Sequence, residues 1–339
     1  MKAPVRPVPA EEMHGKRAAL AGSWEQQETE AERPGEVRAR LPSHARALVA
    51  HIGNTPLLPL PSPNPAVRIL GKAEWFNPGG SVKDRPAWWI VRGALSSGYL
   101  PQRELLDASS GNTAIAYAML GAAIGFSVTL CVPANANPER KKTLKAYGAT
   151  LVETDALEGS DGAILRAREL AEEDPVRFWY ADQYANAANP RAHEATTAAE
   201  IWDQTGGEVT HFVAGLGTTG TLVGASRRLR RLRPNIRIVG VEPARALHGI
   251  EGLKHLDTAL RPAIWNESAV DRREQVRTED AQAAARRLAR DAGLLVGVSS
   301  GAVYAACRRL VREMDSGMVV TVLPDGGSRY LSEGWWAES

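Results

Sequence analysis

Between residues 105 and 323, short β-branched runs alternate with longer segments that carry helix-start signals, and this alternation constrains the fold more than any other feature. Residues 105–108, 127–132, 150–153, 178–181, 209–214, 236–241 and 318–323 read as strands. Residues 114–124, 162–173, 193–204, 221–231, 279–292 (capped by Thr278) and 301–312 read as helices. Another helix opens with Asn137 as cap and Pro138 at its first position and closes at Gly148, the Pro-first, Gly-last asymmetry of helices. Upstream, Ser43 caps a short helix over 44–52, followed by extended pieces at 55–60 and 67–74. Alternating β and α units predict parallel sheets covered by helices on both faces, an α/β fold.

Composition narrows the function classes. Of 339 residues, 44% are apolar, enough for two domains with separate cores. A formal net charge of +2 makes no electrostatic case for nucleic acid or membrane as a partner. The run Arg227-Arg228-Leu229-Arg230-Arg231 falls in the last turns of a helix, where cations complement the dipole. Cys131 and Cys307 stand far apart in apolar contexts, so neither a disulfide framework nor a metal site is read. No apolar run approaches the ~20 residues that span a bilayer, and the expectation is a soluble, cytoplasmic protein. Residues 1–42, rich in Glu, Arg, Ala and Pro, read as an extension that is disordered or contacts a partner subunit.

Several junctions carry chemistry. In Asn77-Pro78-Gly79-Gly80-Ser81-Val82-Lys83-Asp84-Arg85, Ser81 reads as the N-cap of a helix whose first turn holds Lys83. A cation there opposes the helix dipole, and condensation with a carbonyl removes the conflict; a plain surface lysine is the alternative. Ser109-Ser110-Gly111-Asn112-Thr113 sits where a strand gives way to a helix, so free N–H groups and hydroxyls suit a carboxylate, or simply cap the helix. Gly215-Leu216-Gly217-Thr218-Thr219-Gly220 reads two ways. It satisfies the dinucleotide fingerprint, with Glu242 placed as a ribose-binding acid, and taken alone it favours NAD. The hydroxyls of Thr218, Thr219 and Thr221, and the loop's late place in the chain, favour a single phosphate instead.

Together these segments resemble the cysteine synthase family of pyridoxal-phosphate (PLP) enzymes, relatives of cystathionine β-synthase, over residues 52–331. The resemblance implies the two-domain open-sheet fold of the cysteine synthase-like enzymes (tryptophan synthase β-like, fold type II). Residues 43–76 and 188–332 would form the larger, cofactor-binding domain, and 77–187 the smaller, mobile one. By resemblance Lys83 carries PLP as a Schiff base and, once freed, serves as general base at the substrate Cα. Ser109, Ser110, Gly111 and Thr113, with Gln183, would hold the substrate carboxylate, and Asn112 the cofactor's ring oxygen. Gly217, Thr218, Thr219, Gly220 and Thr221 would cradle the phosphate, and Ser299, in Gly297-Val298-Ser299-Ser300-Gly301, would meet the pyridine nitrogen. A neutral hydroxyl there suits elimination and replacement at Cβ. Ser300 reads as an N-cap, and His193 as a helix-start residue without chemistry.

Two positions depart from the commonest pattern. Ala114 stands where the family usually has Gly, which bears on loop mobility. Lys254, in His248-Gly249-Ile250-Glu251-Gly252-Leu253-Lys254-His255, resembles the basic residue of the cysteine synthase B type and phosphoserine-using members, with a solvated lysine as the alternative. The implied reaction is PLP-dependent β-replacement, making L-cysteine from O-acetylserine or O-phosphoserine and sulfide or another thiol donor, in a homodimer. Two other classes stay open: an NAD-dependent oxidoreductase using Gly215, Gly217 and Gly220, and a non-catalytic regulatory paralogue.

Overall fold

The computed structural model describes residues 34–337. Its strands form two sheets. The smaller runs β5 (Thr150–Thr154), β4 (Val128–Pro133), β3 (Glu104–Ala108), β6 (Phe178–Tyr180), all parallel. The larger runs β1 (Leu57–Leu60), β2 (Val67–Ala73), β10 (Gly317–Leu323), β7 (His211–Gly215), β8 (Arg237–Pro243), β9 (Arg272–Val276). Among the described strands, only β1 pairs antiparallel. β4 and β10 are near-continuous apolar runs buried on both faces, as central parallel strands must be.

The helices cover these sheets with apolar stripes. Thr278–Ala292 buries Ala281, Ala284, Ala285 and Leu288, one face at helical spacing. The helix Asp84–Ser96 buries Trp88, Ile90 and Val91, each contributing about 1.5–3 kcal/mol by leaving water. Among the described residues, no helix is long and apolar enough to cross a membrane.

Tertiary contacts overrule some local signals. β9 lies in a stretch to which the sequence assigns no element, because its residues, RREQV, are charged, as befits an edge strand. Ser81 is not a helix cap: it bridges to Asp325, and the helix begins at Asp84 with Lys83 in the cap position. Ser300 does not cap either, since its helix opens at Val298 behind Gly297. His193 is not a helix start. The helix begins at Ala188, passes through a π turn at His193–Thr197 and continues as Ala198–Gln204.

The N-terminal extension lies outside the described residues up to 33. From Pro34 to Arg40 it is helical, and Val37 and Leu41 are buried in the core over the smaller sheet. Ala45 and Val49 join that same core, so the helix Ser43–Ala50 packs with the smaller unit, not with the larger sheet that takes β1 and β2.

Candidate active site

A cavity of about 270 Å³ opens where the C-terminal ends of β3, β4, β7 and β10 face one another, so both sheets contribute walls. Strand ends meeting helix N-termini are where open α/β sheets bind ligands. Lys83, Ser109–Thr113, Gln183, Gly217, Thr218, Thr219, Thr221, Lys254 and Ser299 all border it. Gly220 does not, although it opens the helix behind the phosphate-type loop.

Lys83 is held by its flanks. Its backbone N–H donates to Ser81 Oγ at 3.2 Å, and Val82 N–H donates to the Pro324 carbonyl at 2.8 Å. Next to it the Arg85 guanidinium is fully enclosed by Glu74 (2.7 Å) and Glu200 (2.6 Å), with Thr55 and Thr196 as further acceptors. That buried network fixes the start of the lysine helix. Burial pushes the Lys83 ammonium below its usual pKa, against the opposing charges of Asp325 and Glu74. A lysine so placed is an amine ready to condense with a carbonyl or take a proton.

The carboxylate-type loop is pre-ordered. Ser109 Oγ accepts from the N–H groups of Gly111 (3.3 Å) and Ala114 (3.2 Å). Thr113 Oγ1 donates to Gln183 Oε1 at 2.7 Å, and Gln183 Nε2 donates to the Ala108 carbonyl at 3.0 Å. Behind them the buried Asp107 accepts from the N–H of Gln183 at 3.2 Å. Asn112 is fixed at both ends: its Nδ2 donates to Asp325 Oδ2 at 2.8 Å, and Arg329 donates to its Oδ1.

Gly217 must be glycine, since a Cβ there would come within 2.1 Å of the Gly252 carbonyl. Thr219 holds a left-handed backbone (φ +72), which costs a non-glycine residue about 1–2 kcal/mol. Such strain gathers at ligand sites. Its Oγ1 is buried with no hydrogen-bond partner among the described residues. Residues 48–325 match the protein family described as pyridoxal-phosphate dependent enzyme. A cysteine synthase of Aquifex aeolicus (strain VF5) is 51% identical over 83% of this chain and 89% of its own.

The chain belongs to the cysteine synthase group of pyridoxal-phosphate-dependent enzymes. A cysteine synthase B of Pseudomonas aeruginosa is 43% identical over 84% of this chain and 95% of its own. The crystal structure of an O-acetylserine sulfhydrylase isoform 3 from Entamoeba histolytica superposes with a TM-score of 0.81 at 35% identity, covering 86% of this chain and 91% of that one. The fold is therefore the type II PLP fold expected from the sequence.

PLP, which the family implies, fits the residues present. The unpaired Thr219 hydroxyl borders the cavity at the start of the helix Gly220–Leu232, a place that suits a phosphate, and Lys83 would supply the amine across the same cavity. The dinucleotide reading is set aside. Glu242, on β8, is buried, accepting from Leu256 N–H at 3.4 Å and lying 3.7 Å from Arg273, and does not border the cavity.

Sequence reasoning missed several contributors. Asp325, Arg329 and Tyr330 follow β10: Arg329 donates to Asn112 and to the Gly79 carbonyl, Asp325 accepts from Asn112, and Tyr330 OH donates to Asp325 Oδ2 at 2.6 Å. The turn Pro324-Asp325-Gly326-Gly327 at a strand's C-terminal end was the available signal. At the mouth, Lys254 Nζ pairs with Asp161 at 2.8 Å, and Arg140 pairs with Glu251. His248 and His255 stay outside, bonded to Ile250 N–H and to Thr258.

Proposed function

We propose that this chain makes L-cysteine by replacing the Cβ leaving group of an activated serine with a sulfur nucleophile. The observation that carries the reading is Lys83, an amine with lowered basicity, facing the Ser109–Thr113 loop and the Gly217–Thr221 loop across one cavity. Bound PLP supplies the electron sink for charge left at the substrate Cα. Lys83 anchors the cofactor and, once free, takes the Cα proton and returns it there. Ser109, Ser110, Gly111 and Thr113, with Gln183, orient the substrate carboxylate; Asn112 orients the ring oxygen; Gly217, Thr218, Thr219, Gly220 and Thr221 hold the phosphate. Ser299 presents a neutral hydroxyl to the ring nitrogen.

The segment around 77–187 closes over bound substrate, in a cytoplasmic homodimer. The test is a visible spectrum of the purified protein, followed by cysteine formation from O-acetylserine and O-phosphoserine with sulfide. A visible chromophore and turnover of either serine are expected. A coloured protein inert with both overturns the reading.

A further inference from the structure

The sequence marks His193 as inert, yet the imidazole is 1% exposed and joins two hydroxyls. Its Nδ1 lies 2.9 Å from Thr197 Oγ1 and its Nε2 3.2 Å from Thr221 Oγ1. Two features of the backbone bring these atoms together. The wide π turn His193–Thr197, a device common at functional positions, carries both His193 and Thr197. The helix Gly220–Leu232 approaches through Gly224, where a Cβ would fall 1.9 Å from the Pro190 carbonyl.

Burial, helped by the cations of Arg85 and Lys83 and opposed by Glu200, holds His193 well below the usual histidine pKa. A neutral imidazole has one donor and one acceptor, so the chain of hydroxyls has a direction. If Nε2 accepts from Thr221, the Thr221 proton is spent inside the protein. If Nε2 donates to Thr221, Thr197 donates to Nδ1, and the Thr221 proton is free to face the cavity it borders. An anion accepts only, so it selects the second arrangement.

We propose that His193 is a positioning residue for the phosphate anchor, ordering a one-way relay from Thr197 through His193 to Thr221 that turns the Thr221 hydroxyl proton toward the bound phosphate. The relay rests on the reading of Thr221 as a phosphate contact, and the test separates the two. PLP dissociation from the holoenzyme is measured by equilibrium dialysis, with the 31P NMR shift of the bound phosphate as a second readout. Thr221→Val alone tests the contact: unchanged affinity and unchanged 31P shift overturn it, and the relay with it.

With the contact established, His193→Ala is expected to weaken PLP binding about five- to twentyfold and to move the 31P resonance, the scale of one hydrogen bond to a charged group. His193→Gln, which places an N–H near the Nε2 position, restores most of both. His193→Ala combined with Thr221→Val is no weaker than Thr221→Val alone, because the histidine acts through that hydroxyl. Fully additive losses, or a 31P shift untouched by His193→Ala, overturn the relay. Should His193→Ala fail to fold, Thr197→Val removes the donor to Nδ1, and a smaller loss in the same direction is expected; no change in affinity or 31P shift overturns the relay.

Discussion

The carboxylate of Asp325 and the amide of Asn112 meet at 2.8 Å although 213 residues separate them in the chain. Asp325 is fully buried at the end of β10; its Oδ2 also accepts from Tyr330, and its Oδ1 has no hydrogen-bond partner among the described residues. Arg329 holds the other end of the same amide, so Asn112 presents one remaining N–H in a fixed direction. Asp325→Ala is predicted to weaken PLP binding by roughly tenfold, since a hydrogen bond to a charged group contributes about 1.5–3 kcal/mol and only part of it is felt at the cofactor. Asp325→Asn, which keeps an acceptor, should lose less. Equal dialysis constants for wild type and Asp325→Ala would show that Asn112 does not depend on this carboxylate.

Lys83→Ala is predicted to retain the fold and to lose the protein-linked visible chromophore together with turnover. The group removed is both anchor and base, and a positioned base contributes on the order of 10²–10⁴ in rate. Stopped-flow assay with O-acetylserine and sulfide checks this. Activity within tenfold of wild type would leave the proton transfer to another residue.

The alternation of strands and helices, and the loops at 109–113 and 217–221, were legible because each junction carries its own local chemistry of Gly, Ser, Thr and Asn. The Asp325–Arg329–Asn112 cluster was not, because no local pattern tells that a turn after the last strand returns to the first loop. Ser81 shows the converse: its cap signal is sound, but the bridge to Asp325 and the Val82–Pro324 bond take the backbone elsewhere. The π turn at His193 was equally hidden, since a wide turn has the same composition as an ordinary one. β9 escaped because an edge strand needs little apolar surface.

Stability should depend on pH through Asp107. Burial pushes its carboxyl up to about 8, with the Asp182 charge adding to the shift and the N–H groups of Ala108 and Gln183 opposing it. An acid whose folded pKa is raised binds its proton more tightly in the folded chain than in the unfolded one, where it lies near ~3.9. Its contribution is therefore complete below about pH 4 and is lost as pH rises through about 8. The Tm of the wild type is predicted to fall between about pH 4 and pH 8 and to level off above that, and Asp107→Asn to flatten that slope. Identical slopes in differential scanning calorimetry would remove Asp107 as the cause.

Lys254 bears on the choice of leaving group, and its ion pair changes the expectation drawn from sequence. A phosphoryl group brings close to two negative charges at neutral pH and needs a cationic partner, whereas an acetyl group needs none. Lys254 borders the cavity, but its Nζ is committed to Asp161 at 2.8 Å and stands 5.1 Å above the Tyr184 ring. An incoming phosphate must therefore compete with a carboxylate for the same ammonium. If O-phosphoserine is the substrate, Lys254→Ala should lower kcat/KM for it by about tenfold, the scale of one charge-assisted hydrogen bond, with little change for O-acetylserine. Asp161→Asn should act in the opposite sense, raising kcat/KM for O-phosphoserine several-fold by freeing the cation and removing a repelling charge. Steady-state kinetics of both variants with both serines decide the matter. Losses shared equally by the two substrates would place the Lys254–Asp161 pair in holding the cavity mouth together, with no part in reading the leaving group.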